Sequence, residues 1–172
     1  TSGDLHKRGL GIFIDTATEM LAERPDLRFL ITGSRTLPEW LRQHTLLTRG
    51  RLLQRPRDRH PERWMSALDV FLYPARYEEF GMVVMEACAL GVPVITSRRV
   101  GAAECLPDLN APWLCDSPEP GEFARLGLGL RADEMARANL SRQGSAIAGA
   151  YSHARYAERS LSIIAPRLKA AA

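Results

Sequence analysis

The run Asp69-Val70-Phe71-Leu72-Tyr73-Pro74, the apolar stretch Gly81-Met82-Val83-Val84-Met85-Glu86-Ala87-Cys88-Ala89-Leu90-Gly91, and then Val92-Pro93-Val94-Ile95-Thr96 decide the fold. The first run is a strand stopped by Pro74. The stretch from Gly81 to Leu90 carries strong helix formers at Glu86 to Leu90, and Gly91 suits the residue just past a helix end. Pro93 stands at the start of the next strand, where its missing N–H matters least. Strand, helix, strand at this spacing predicts a right-handed parallel unit.

Working outward, the same alternation continues. Leu10, Phe13, Ile14, Ala17, Met20 and Leu21 recur at three- and four-residue intervals and predict a helix ending before Pro25. Leu27 to Thr32 is a buried strand closed by a tight turn at Gly33-Ser34. Leu37 to Leu47 suits a helix with Pro38 in its first turn, and Arg51 to Gln54 is a weak strand. Pro61 to Ala67 is a short helix, Trp113 to Cys115 a last strand scrap, and Ala132 to Leu168 a helical tail broken near Gly149 to Ser152. The expected architecture is α/β, a parallel sheet with helices on both faces, in one domain over residues 1–172.

Composition agrees. The 172 residues are 45% hydrophobic and 25% charged, enough apolar surface for a core and against disorder along the whole chain. The longest apolar runs fall well short of the roughly 18 residues of a membrane span. Thr1-Ser2-Gly3-Asp4 lacks the character of a signal peptide, so neither a membrane-spanning nor a secreted protein is expected. The net charge of +3 does not by itself imply a nucleic-acid partner. Arg49, Arg51, Arg55, Arg57, Arg59 and Arg63 crowd one stretch. It reads first as a solvated face, with no interleaved aromatics for stacking on bases. Cys88, Cys105 and Cys115 are odd in number and read as buried thiols in a reducing, cytoplasmic compartment. The cysteines are not in zinc-ligand spacing and His6, His44, His60 and His153 are scattered, so no metal is expected. Trp40, Trp64 and Trp113 are expected as core or interface aromatics.

In open parallel sheets ligands lie beyond the carboxyl ends of the strands, so the loops after Thr32, Tyr73 and Thr96 are the places to search. The loop after Tyr73 is the most informative. Gly81 stands where loop becomes helix and would let a ligand approach bare backbone. The first N–H groups of that helix have no internal partner, which suits a phosphate. Glu78 precedes the helix and Glu86 follows about five residues in, roughly 7 to 8 Å along the axis. A carboxylate repels phosphate but accepts well from hydroxyls, even both of a vicinal diol. Hydroxyl binder, phosphate binder, hydroxyl binder is the outline of a nucleotide sugar. Taken alone, Glu78 and Glu79 would be ordinary loop carboxylates, and Arg98 and Arg99 surface residues. Glu86 sits in an otherwise apolar helix, where burial without a partner would be costly, so it is expected inward at a ligand rather than on the surface.

The run Pro74…Glu78-x7-Glu86-Ala87…Gly91-x-Pro93-Val94-Ile95 resembles the donor-binding C-terminal half of retaining GT-B glycosyltransferases of the group 1, or family 4, type. The opening Ser2-Gly3-Asp4-Leu5-His6-Lys7-Arg8-Gly9 resembles the basic segment before the first helix of such enzymes, most of all the lipopolysaccharide-core glucosyltransferases. The resemblance implies a Rossmann-like half of a GT-B fold whose substrate is a nucleotide-sugar donor, with UDP the first choice of nucleotide. It implies that Glu78 binds donor-sugar hydroxyls, Glu86 the ribose, and the backbone at Phe80, Gly81 and Met82 the diphosphate. Lys7 and Arg8 would neutralise the leaving diphosphate, a role that needs no metal and no cofactor. Two departures stand out. Glu79 replaces the usual glycine, either altering sugar preference or turning outward to solvent. Lys7-Arg8 replaces Arg-Lys, placing a forked donor where a point charge is usual.

The implied reaction is metal-independent transfer of a hexose to a glycan or lipid-linked acceptor, in lipopolysaccharide or cell-surface polysaccharide synthesis. The acceptor domain would lie upstream, so this chain alone is expected to bind donor and transfer little or nothing. A lipid-linked acceptor implies peripheral membrane contact for the parent, and no nucleic-acid partner is expected. Two alternatives stay open: a nucleotide-sugar epimerase or sugar phosphorylase half of the same fold, and a non-enzymatic module whose arginine-rich loop binds RNA or an anionic membrane.

Overall fold

The computed structural model describes residues 4–33, 36–56, 58–106 and 113–170. Thr1, Ser2, Gly3, Ser34 and Arg57 of the stretches discussed above lie outside them. The elements run α1 (Leu10–Glu23), β1 (Phe29–Thr32), α2 (Glu39–Arg42), α3 (Thr45–Thr48), β2 (Leu52–Arg55), α4 (Glu62–Met65) and β3 (Phe71–Tyr73). They continue with α5 (Met82–Ala89), β4 (Val94–Ser97), a 3₁₀ turn (Gly101–Cys105), β5 (Leu114–Cys115), α6 (Pro120–Ala132), α7 (Glu134–Ala150) and α8 (His153–Ala170).

Among the described residues all strand pairing is parallel. β1 pairs with β2, Phe29 opposite Leu52, and the second ladder runs β3–β4–β5, with Phe71 opposite Val94 and Thr96 opposite Leu114. Successive residues of a strand face opposite sides. In β4 this is visible in the core. Val94 packs with Val84, Ala87 and Cys88 of α5, whereas Ile95 packs with Phe123, Leu126 and Leu130 of α6. Helices therefore cover both faces, the α/β architecture the alternating pattern predicts. Phe29 of β1 and Leu52 of β2 pack with Leu10, Ile14, Ala17 and Met20 of α1, and Leu72 of β3 borders both this cluster and that of Phe123.

Three sequence expectations change. The helix expected over 37–47 is two short ones, because His44 interrupts it: its Nδ1 accepts from the Leu46 N–H and starts α3 afresh. Helix α6 was not expected at all. Its glycines weaken local propensity, yet Gly127 admits the Met20 side chain so closely that a Cβ there would stand 2.8 Å from Met20 Cε. Trp40 is 51% exposed and belongs to no core, whereas Trp113 is partly buried against the Phe123 cluster. Trp64 carries the Arg55 guanidinium 4.5 Å from its ring centroid and donates to Asp58 at 3.2 Å. No helix among the described residues is long and apolar enough to cross a membrane.

Cys88 and Cys115 are buried, as the sequence suggests; Cys105 is only partly so, and all three are free thiols.

Candidate functional site

The site grows from the carboxyl end of β3. Tyr73 ends the strand, and the chain then runs through Pro74 and Ala75 into the loop before α5. Two buried hydroxyls of β4 hold the start of that loop: Thr96 Oγ1 donates to the Tyr73 carbonyl at 3.0 Å and Ser97 Oγ to that of Ala75 at 3.3 Å. Further on the loop is stitched to the chain leaving β4. Glu78 forms a parallel bridge with Val100, taking a bond from Gly101 N–H at 3.0 Å and giving its own to the Arg99 carbonyl at 3.2 Å. The Phe80 carbonyl accepts from Ala102 N–H. The Glu78 backbone is thus tied through both its N–H and its carbonyl to the chain leaving β4.

Gly81 caps α5 with φ +88°, in the left-handed region. A Cβ there would stand 2.8 Å from Val100 Cγ1 and 3.3 Å from Glu78 Cγ, so only glycine fits both the dihedral and the space. No side chain caps this helix start. Its first amides keep the unpaired donors and partial positive charge of a helix N-terminus. Phe80 packs with Val84 and Val100, Gly81 is buried rather than open to a ligand on all sides, and Met82 is half exposed.

The basic pair arrives from the far end of the sequence. Asp4 Oδ1 accepts from the N–H groups of His6 and Lys7 and shapes the turn before α1. The Lys7 carbonyl accepts from Arg76 N–H at 2.9 Å, which docks that turn on the loop after β3. Arg8 Nη2 then lies 3.7 Å from Glu78 Oε2, and Lys7 Nζ donates to Glu79 Oε1 at 2.9 Å. The Lys7 ammonium also sits 5.0 Å from the Tyr77 ring centroid. Its bond to Glu79 holds the Lys7 pKa above the ordinary value and the Glu79 pKa below it. Glu79 has therefore turned outward, 66% exposed, onto Lys7.

One contributor escaped the sequence reading. Tyr73 O–H donates to Glu78 Oε2 at 3.0 Å, so a single carboxylate oxygen is held by a phenol and faced by a guanidinium. Burial first, then this bond, pushes the Tyr73 hydroxyl up to about 12. A tyrosine rather than an aliphatic residue at the mouth of a buried strand was the available signal.

Glu86 corrects an expectation. It is exposed rather than buried, four residues beyond exposed Met82 on one face of α5, while Val84, Met85, Ala87 and Cys88 take the inner face. Among the described residues its carboxylate enters no ion pair and no side-chain hydrogen bond. The helix is apolar nearly all round, yet Met82, Glu86 and Ala89 lie on its outer side, so the cost of burying a carboxylate does not arise. Of the sequence-predicted residues, the structure gathers Lys7, Arg8, Glu78, Phe80, Gly81 and Met82 around one loop and helix start, with Glu86 one turn along α5. Arg98 and Arg99 are exposed, and Arg98 Nε pairs with Asp116 at 2.8 Å. No group of three or more His, Cys, Asp or Glu side chains that could hold an ion occurs among the described residues.

Residues 1–133 match the family model for glycosyl transferases group 1. The chain belongs to that family. Among curated relatives of this group 1 chain is the lipopolysaccharide core biosynthesis mannosyltransferase LpsB of Rhizobium meliloti (strain 1021), 34% identical over 104 residues, which are 56% of this chain and 29% of LpsB. The chain thus spans under a third of that relative's length. Among solved structures, WaaG, a glycosyltransferase involved in lipopolysaccharide biosynthesis, superposes with a TM-score of 0.76 at 20% identity, over 94% of this chain and 45% of WaaG. HepE of Anabaena in complex with UDP-glucose gives 0.68 at 24% identity, over 83% of this chain and 40% of HepE. These two likenesses concern the GT-B glycosyltransferase fold.

Proposed function

We propose that residues 1–172 form the nucleotide-sugar-binding half of a two-domain retaining glycosyltransferase, taking a UDP-hexose as donor. One observation carries this reading: Arg8 stands 3.7 Å from Glu78, although 70 residues separate them, beside an α5 start that no side chain caps. Cations, uncapped amides and a fixed hydroxyl acceptor then meet at one place. The UDP complex of a structural neighbour and the lipopolysaccharide and polysaccharide roles in the names of relatives support the same assignment.

In this reading the diphosphate lies on the amides at Phe80, Gly81 and Met82, the ribose on Glu86 and the sugar on Glu78. As the bond between the anomeric carbon and the diphosphate oxygen breaks, negative charge grows on the departing UDP. Lys7, Arg8 and the helix start stabilise it in the way a metal ion would otherwise do. The acceptor, a glycan or lipid-linked glycan, reaches the sugar from a second domain, so this chain alone binds donor without transferring it. The parent would act at the cytoplasmic side of a membrane.

Calorimetric titration of the chain with UDP, GDP, ADP and UDP-hexoses tests the reading, with amide shifts followed at Gly81 and Glu86. UDP should bind and move both signals. Binding that leaves Gly81 undisturbed would remove the diphosphate from this helix. A parent enzyme that consumes donor without any acceptor would favour an epimerase instead.

A further inference from the structure

We propose that Glu79 sets the affinity of this site for diphosphate by competing for Lys7: in the free chain the ammonium rests on the Glu79 carboxylate, and an incoming diphosphate takes it over. The proposal rests on the donor-site reading above and names a residue to which that reading gives no role.

Lys7 and Arg8 are held differently. Arg8 faces Glu78, whose side chain is only 15% exposed and is also held by the Tyr73 hydroxyl. That partner is fixed. Lys7 is pinned at its backbone, by the bond from Arg76 N–H and its own bond to Asp4, while its ammonium lies at the surface between Glu79 Oε1 and the Tyr77 ring. A flexible four-carbon stem carrying a point charge can swing from one acceptor to another without moving the chain. The Lys7–Glu79 pair is exposed on both sides, so water screens it and little holds it closed. A diphosphate offers more charge and more acceptor oxygens than one carboxylate, so exchange runs toward the ligand. Once released, Glu79 is an anion beside an anion, which again lowers affinity. Both effects have one sign.

The test is calorimetric titration of UDP into four forms of the chain: wild type, Glu79→Gln, Lys7→Met and Glu104→Gln. Glu104 is an exposed acid on the neighbouring 3₁₀ turn, so its variant makes the same change in net charge without touching Lys7. Glu79→Gln should tighten UDP about two- to five-fold beyond Glu104→Gln, the size expected for releasing an exposed ion pair. Lys7→Met should weaken it. UDP binding to wild type with no extra gain in Glu79→Gln, or with Lys7→Met equal to wild type, overturns this proposal and leaves the donor site standing. Failure of every form to bind UDP, GDP or ADP overturns both.

Discussion

Gly9 lies against the backbone of Pro74: a Cβ on Gly9 would stand 1.9 Å from the Pro74 carbonyl oxygen. Gly9 also caps α1 with φ +75°, in the left-handed region. This contact and the Arg76 to Lys7 bond beside it clamp the turn before α1 onto the loop after β3, and so deliver Lys7 and Arg8 to Glu79 and Glu78.

Gly9→Ala should therefore damage stability and site together. The backbone conformation alone costs about 1 to 3 kcal/mol in a residue with a side chain, and the clash with backbone forces the turn away. Urea unfolding should show a loss of at least about 1 kcal/mol, and UDP affinity should fall. A variant with wild-type midpoint and affinity would show that the clamp has no role.

Gly81→Ala tests the helix start. The new methyl would press on Val100 and on the stem of Glu78, at a backbone angle that favours glycine. A stability loss of about 1 to 3 kcal/mol is expected, with weaker binding of both UDP and UDP-sugar.

Glu86 and Glu78 should separate cleanly. Because Glu86 is exposed, Glu86→Ala should change stability by no more than about 0.5 kcal/mol while weakening UDP by about 1 to 3 kcal/mol, as for an incomplete hydrogen bond to a charged group. Glu78→Ala leaves the Tyr73 hydroxyl without its acceptor, so stability should drop by about 1 to 3 kcal/mol. It should weaken the UDP-sugar but not UDP. Equal losses for both ligands in Glu78→Ala would contradict the placement of the sugar.

Alkaline pH should unfold the chain through its buried acids. Burial raises Tyr73 to about 12, Cys88 to about 11 and Cys115 to about 12, from ordinary values of 10.0 for the phenol and 9.0 for the thiols. The unfolded chain therefore releases these protons first. Their contribution is intact below about pH 9 and is lost as pH climbs toward 12. Urea midpoints should fall across that window, and Tyr73→Phe should flatten the part above pH 10. In native protein at pH 8, Ellman's reagent should react with partly buried Cys105 before Cys88 and Cys115.

How much was legible depends on whether the signal was local. β3, α5 and β4 follow from Pro74, Gly81, Gly91 and the apolar runs between them, because strand and helix periods and glycine geometry are written within a few residues. The break near residue 150 was also visible, since α7 ends at Ala150 and α8 starts at His153. Helix α6 was not, because its glycines weaken propensity and its stability comes from Met20 and α1 fitting against it. The exposure of Glu86 was hidden for a related reason: α5 is apolar nearly all round, so its pattern does not show which face is inward.

By itself the sequence determined an alternating parallel α/β chain, a helix beginning at a glycine after a strand, and a basic pair and two spaced glutamates as the residues of interest. Only the tertiary structure decided that the basic pair meets Glu78 and Glu79, that Tyr73 holds Glu78, and that Glu86 faces solvent. Periodicity and turn chemistry act over a few neighbouring residues. The contacts that assemble the site span about 70 positions, and they exist only because the start of α1 packs its backbone against the end of β3.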